Sequence, residues 1–209
     1  LAFVQNISLG LAIFFLARLL ANLYFQNNIN NDSIYKKSQK SLIINAVLFL
    51  VFFLFWLIRL MFMDGFAVNP ENGNVFMEPN KYFHNFLEMP LVLAVFLVGV
   101  VLVLSGIILN IFLKSKKGIW FSGLGTVLTV WMLFLIAGFN NTAFYPSTYD
   151  LQSSLTIYNA SSSEFTLKTM SYVSLLVPFV VAYIALVWKK MDSKKISSEE
   201  LKDSENHVY

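Results

Sequence analysis

The sequence predicts an all-α fold, a polytopic membrane helix bundle with five transmembrane helices in this chain. Three observations carry that reading. The chain of 209 residues is 57% hydrophobic and 13% charged, with a mean hydropathy of +0.64, a balance foreign to an ordinary soluble domain. Five apolar runs, at about 3–25, 41–63, 89–113, 119–139 and 169–188, each reach the roughly 20 residues that cross about 30 Å of hydrocarbon. Lysines alternate between the connections. Lys36, Lys37 and Lys40 follow the first run, Lys114, Lys116 and Lys117 the third, and Lys189, Lys190, Lys194, Lys195 and Lys202 the fifth, whereas the other connections hold only Lys81 and Lys168. The positive-inside rule then puts the lysine-rich connections and the tail, 189–209, on the cytoplasmic side and the long loops 64–88 and 140–168 outside. Helices are required because a helix satisfies its own backbone in lipid and an open strand does not.

In the first run Arg18 and Asn22 stand four apart on the predicted cytoplasmic half, and Tyr24 and Phe25 close it with headgroup-level aromatics. Arg18 is near enough to the inner surface to snorkel, or to pair with another helix. The second run carries Arg59 near its outer end, with Asp64 just beyond; Arg59 can reach outer headgroups or pair with Asp64 or Glu88. An ionisable group at membrane depth is costly, so a place in a proton or substrate route is the competing reading for both arginines. The third run is apolar almost throughout. The fourth opens on Trp120 and aligns Ser122, Thr126 and Thr129 on one stripe, read as helix packing in preference to a ligand channel. In the fifth, Ser171, Ser174, Pro178, Ala182 and Ala185 share one face, predicted to meet another helix closely, and Trp188 closes the run. Pro178 removes the hydrogen bond to the carbonyl of Ser174, which predicts a kink.

Before the fifth run lies a polar stretch, SSLTIYNASSSEFTLK, over residues 153–168. Ser161-x-x-Glu164 has the spacing of a capping box, predicting a helix start there. Upstream, Phe144–Ser147 and Ser154–Ser161 combine turn formers with aromatics, as a structured cap at the outer headgroups would and a flexible linker would not.

The chain has no cysteine, which removes disulfides, thiolate clusters and CxxC chemistry. Its histidines are His84, in an outer loop, and His207, in the tail, so neither lies in a span as a haem ligand would. Met61, Met63, Met89, Met132 and Met170 read as apolar filler. No paired intramembrane carboxylates, HExxH, P-loop or nucleophile–His pattern occurs. No residue is therefore assigned a catalytic, cofactor-binding or metal-binding role. The net charge of +3 and pI near 9.0 follow from lysines facing anionic lipid headgroups, and nucleic acid is not an expected partner. The chain opens on Leu1, with no basic segment before the first run, which predicts a true N-terminus farther upstream.

Phe144-Tyr-Pro-Ser147, Ser154-Leu-Thr-Ile-Tyr-Asn-Ala-Ser-Ser162 and Thr166-Leu-Lys168 resemble the segment before the last helix of subunit II of the cytochrome bd quinol oxidases. Asp64-Gly-Phe-Ala-Val68, the loop to Asn85-Phe-Leu-Glu-Met-Pro90 and the tail ending His207-Val-Tyr209 are similar to the same C-terminal half. The resemblance implies a multi-pass protein of the bacterial cytoplasmic (inner) membrane, with a cytoplasmic C-terminus and the last five of nine helices. It implies a partner, subunit I, that holds haems b and d and the quinol site, with no haem bound by this chain. The complex would oxidise quinol and reduce oxygen to water in respiratory electron transport, and leaves room for a further small subunit. Roles belonging to the family's N-terminal half have no position here, and Arg18, Arg59 and Glu88 stay unassigned. Two other classes are carried. A secondary transporter is suggested by Pro178, the glycines of the third and fourth runs and Arg18, but no internal repeat supports it. A purely structural membrane protein would not require the Ser154–Lys168 motif.

Overall fold

The structure, a computed structural model, describes residues 2–191 and the backbone of 196–197. Most of the predicted cytoplasmic tail, including Lys194, Lys195, Lys202 and His207, lies outside the described residues.

Two helical hairpins form the body. The first joins α1 (Ala2–Asn28) to α2 (Asp32–Met61), and the second joins α4 (Pro90–Ile111) to α5 (Gly118–Gly138). All four are long and apolar enough to span a membrane. The helix α2 starts nine residues before its apolar run, because capping and hydropathy fix different boundaries. Asn31 is its N-cap, its side chain accepting from Ser33 N (3.0 Å) and Ile34 N (3.2 Å). The extra turns carry Lys36, Lys37 and Lys40 beyond the apolar run. Pro90 opens α4 at a position where its missing N–H removes no helical bond.

Within each hairpin the helices pack closely, and contacts between the hairpins are fewer. The α4–α5 crossing depends on glycine. A Cβ on Gly106 would lie 2.2 Å from Ser122 Oγ and 2.5 Å from Gly118 O, and one on Gly125 would lie 2.6 Å from Gly99 O and from Val103 N. Ser122 is fully buried and donates to Val103 O (3.1 Å), and Thr129 is buried beside it. The Ser122–Thr126–Thr129 stripe is thus a packing seam, as expected, with Thr126 turned onto its own helix at Ser122 O (2.8 Å).

The fifth apolar run is two helices, α7 (Glu164–Ser174) and α8 (Val177–Met191). Between them Leu175 N and Leu176 N fall back on Tyr172 O (3.2 Å) and Val173 O (3.0 Å), and Pro178 sits in the first turn of α8. The proline signal therefore produces a break, a stronger result than a bend. The prediction that the face of Ser171, Ser174, Pro178, Ala182 and Ala185 meets another helix is not met inside this chain, since no described residue of α7 or α8 is buried. Hydroxyls of this face fold back on their own helix, Ser171 onto Leu167 O (2.8 Å) and Ser174 onto Ser171 O (2.7 Å). Small residues reveal a face able to pack, but the covering surface is a property of the assembly.

Two short strand pairs complete the fold. At the lysine-bearing end β1 (Ile29–Asn30) pairs in parallel with β4 (Ile196–Ser197). At the other end β2 (Gly65–Val68) and β3 (Val75–Glu78) form an antiparallel hairpin, followed by the amphipathic helix α3 (Lys81–Glu88).

Candidate functional site

Two polar regions stand out: a cap over the loop end, and a seam between α1 and α2.

The cap is ordered, as its aromatics and turn formers predict. After α5 the chain turns through Asn140 and Asn141, both in the left-handed region (φ 56° and 53°), where asparagine is better tolerated than most residues. It then runs along β2, with Val68 N donating to Asn141 O (2.7 Å) and Ala143 N to Phe66 O (2.9 Å). Tyr145 and Leu155 pair backbone to backbone and close a loop between them. Gln152 acts as a substitute strand, its Nε2 donating to Val75 O (2.9 Å) while its Oε1 accepts from Val75 N (3.0 Å).

Ser154–Asn159 is the turn that locks this loop. Ser154 is fully buried, and its Oγ accepts from Ser147 N (3.0 Å). Thr156 Oγ1 accepts from Asn159 N (3.2 Å), and Asn159 Oδ1 accepts from Thr156 N (2.7 Å), a reciprocal box that starts α6 (Ile157–Ala160). Asn159 Nδ2 also donates to Ser154 O (3.0 Å). This corrects the Ser161–Glu164 capping box. Ser161 Oγ instead donates to Ile157 O, and the N-cap of α7 is Ser163, whose Oγ accepts from Thr166 N (3.4 Å). Glu164 pairs forward with Lys168 (2.6 Å). The local reason is competition: Ser161 is the C-cap of α6, and the cap of α7 falls to Ser163, immediately before its first helical residue. Ser163→Ala is expected to lower stability by about 1 kcal/mol and Ser161→Ala by less, measured by thermal unfolding of the protein; equal losses would restore the Ser161 cap.

Beneath the cap, Asn85 of α3 is fully buried and satisfied on both sides. Its Nδ2 donates to Ile136 O (2.7 Å) and Thr142 Oγ1 (2.8 Å), and its Oδ1 accepts from Asn140 Nδ2 (3.0 Å). Asn140 Nδ2 also reaches Glu88 Oε2, so the carboxylate of Glu88 serves the cap. Of the two readings of Arg59, outer headgroups or a pair with Asp64 or Glu88, the ion pair is not formed among the described residues.

Glu78 is held by an ion pair with Lys81 Nζ at 3.1 Å and a hydrogen bond with His84 Nδ1 at 3.0 Å. Lys81, a loop lysine by sequence, is only 6% exposed. Burial alone would raise the Glu78 pKa, but the hydrogen bonds from His84 and Lys81 outweigh it and hold the carboxyl below its ordinary value. A lowered folded-state pKa stabilises above the unfolded value and stops doing so as pH falls through the folded value. Glu78→Gln is therefore expected to cost roughly 2 kcal/mol at pH 7, by loss of charge-assisted bonds. The gap between wild type and variant should close in acid below about pH 4. Thermal melts of both proteins across that range check it, and a gap unchanged at low pH contradicts it.

In the seam, polar side chains face one another at one-turn spacing. Arg18 Nε donates to Asn45 Oδ1 (3.1 Å), which is the inter-helix pairing expected of Arg18. Asn22 Nδ2 and Asn45 Nδ2 both reach Ser41 Oγ (3.1 and 3.0 Å). Nearer the lysine-bearing end Gln26 Nε2 donates to Ser38 Oγ (2.8 Å) and Gln39 Oε1 (3.1 Å). The sequence reading found Arg18 and Asn22 but not Ser41 and Asn45; their four-residue spacing on α2 was the available signal. Above Asn45 the seam is mainly apolar, with Phe15 and Phe52 stacked at 5.8 Å, but buried Ser8 donates to Phe52 O (2.9 Å).

Histidine and methionine are common axial ligands of haem iron, alongside cysteine and tyrosine. His84 lies in the cap with Nδ1 on Glu78, Met63 Sδ accepts from Gln5 Nε2 (3.3 Å), and Met132 packs in an apolar cluster. The described residues do not form an axial ligand set.

The chain matches the family model for Cytochrome bd terminal oxidase subunit II over residues 2–191. It is 33% identical over 150 residues to Cytochrome bd-I ubiquinol oxidase subunit 2 of Escherichia coli strain K12, and the same holds for the protein of that name from strain O157:H7. The aligned stretch covers 70% of this chain and 38% of those relatives. A helical, multi-pass membrane protein that matches this family from its first described helix to its last belongs to the cytochrome bd terminal oxidase subunit II family.

Proposed function

We propose that this chain is part of the non-haem-ligating subunit of a bd-type terminal oxidase, a complex that couples quinol oxidation to oxygen reduction, and that it supports a haem-bearing subunit I. The observation that carries the reading is the family match over residues 2–191. The donor set agrees with it: the spans contain no histidine, as suits a subunit that leaves the haem iron to its partner. The exposed fifth span agrees as well. Helix α8 presents Phe179, Tyr183 and Leu186 along a face that no described helix covers, as a subunit completed by other helices would.

The lysine-bearing end is cytoplasmic in this reading, and the cap faces the opposite side. A reporter fused at Ser153 is expected to signal outside the cytoplasm, and a cytoplasmic signal overturns the orientation. For the role itself, the full-length subunit is purified with and without subunit I. Haem absorbance should accompany the complex only; haem retained by this subunit alone refutes the assignment of the iron to the partner.

A further inference from the structure

Arg18 is the only charged residue of α1, and its side chain is exposed. Ile7, Gly10, Phe14, Ala21 and Phe25 are exposed on the same side of the helix. Counted from Ile7 and with Arg18 included, they fall at offsets 0, 3, 7, 11, 14 and 18, the three-and-four alternation of a helix–helix seam. A Cβ on Gly10 would meet nothing within 4 Å, so this glycine makes no close approach among the described residues and leaves room for another backbone.

The guanidinium is turned into the membrane and away from the lysine-bearing surface. Its Nε is tied to Asn45 Oδ1 (3.1 Å), and Cζ lies 5.6 Å from the centre of the Phe14 ring, one turn nearer the N-terminus. That is the direction in which helical side chains lean. Arg18 also stands about 15 Å along the helix from the lysine-side end at Asn28, so the phosphates of that surface lie behind the cation. One amide and one aromatic ring leave the charge without a counter-ion at a depth where it is costly. This chain does not supply the anion: all twelve of its acidic residues lie outside the five apolar runs. A second copy of the chain lacks it for the same reason.

We propose that a transmembrane helix from outside this chain packs along the Ile7–Phe25 stripe of α1 and sets an aspartate or glutamate against the Arg18 guanidinium. Gly10 and Ala21 let its backbone come close, and Asn45 holds the planar guanidinium in place, so that little side-chain freedom is lost on pairing. The proposal rests on the chain being one part of a larger assembly, as its family implies, and not on which subunit holds the haem iron. Either reading can fail without the other.

The test places the photoreactive residue p-benzoylphenylalanine at position 21, in the subunit within its complex in membranes. Irradiation is expected to join it to one transmembrane helix, with an Asp or Glu within about one turn of the attachment point. Attachment to lipid alone, to a second copy of this chain, or to a helix without a carboxylate in that reach overturns the proposal. Arg18→Glu is then expected to lower the yield of intact complex by about five-fold or more, and exchanging the identified carboxylate for arginine in the same protein should restore most of it. No loss in Arg18→Glu, or a loss that the exchange leaves unrestored, overturns the ion pair. The crosslink is read with Arg18 unaltered, so it needs no charge variant to fold.

Discussion

Valine in place of Gly106 is expected to prevent the α4–α5 hairpin from closing and to strip the membrane of folded subunit. The added Cβ would meet Ser122 Oγ at 2.2 Å, Gly118 O at 2.5 Å and Ser122 N at 2.7 Å. Two of these are backbone atoms of the facing helix, so relief requires moving the helix and not merely a side chain. That places the cost at about 3 kcal/mol, the upper end of ordinary overpacking. It would also break the bond from Ser122 to Val103 O, which depends on the same approach. Helices in lipid gain little from hydrophobic burial against each other and associate through close packing, so the loss has little to offset it. Size-exclusion profiles and thermal unfolding of the solubilised full-length subunit read the effect. Gly123→Ala is the control, because a Cβ there meets nothing within 4 Å. If Gly106→Val unfolds at the wild-type temperature, the crossing geometry described for α4 and α5 is wrong.

The second large effect is expected at Asn85. Its side chain joins α3 to the end of α5 and to the strand-like segment after it, through Ile136 O, Thr142 Oγ1 and Asn140 Nδ2. Asn85→Leu keeps the branched heavy-atom skeleton, slightly enlarged, but leaves those groups buried and unpaired, at a cost of about 3 kcal/mol. The damage should be local. Amide exchange should accelerate in residues 136–145 and in β2, which pairs with Thr142 through Ala67, while the α1–α2 seam keeps its protection. Uniform acceleration through both hairpins would mean that Asn85 supports the whole bundle and not the cap.

These two sites differ in how visible they are in sequence. Glycines in an apolar run announce close packing, though not which residue faces which. Asn85 gave no signal at all: a lone asparagine in a loop of mixed polarity reads as solvated until the fold surrounds it. Lys81 is the same lesson with a charge. It was one of two lysines on the predicted outer side, and the fold buries it against Glu78. Thr156-x-x-Asn159 was legible in principle as a cap, but the neighbouring Ser161-x-x-Glu164 fits the capping-box pattern better and drew the prediction. Which hydroxyl caps is decided by where the preceding helix stops, and that depends on Ser154 being fixed by Ser147.

By itself the sequence determined the number of spans, their approximate limits, an interruption of the last helix at Pro178 (though as a kink and not a break), the ordered loop and the family. These follow from local quantities: apolar length against membrane thickness, a missing backbone donor, turn chemistry, and a motif that survives as a string. Only the tertiary structure decided which polar groups meet, namely Arg18 with Asn45, Glu78 with Lys81, and Asn85 with three partners from α5 and the turn beyond it. It also decided that the small-residue face of α7 and α8 is not buried by any other described element. The physical reason is that hydrogen bonds and close packing act over a few ångströms between residues far apart in sequence, so their partners exist only once the helices have been placed.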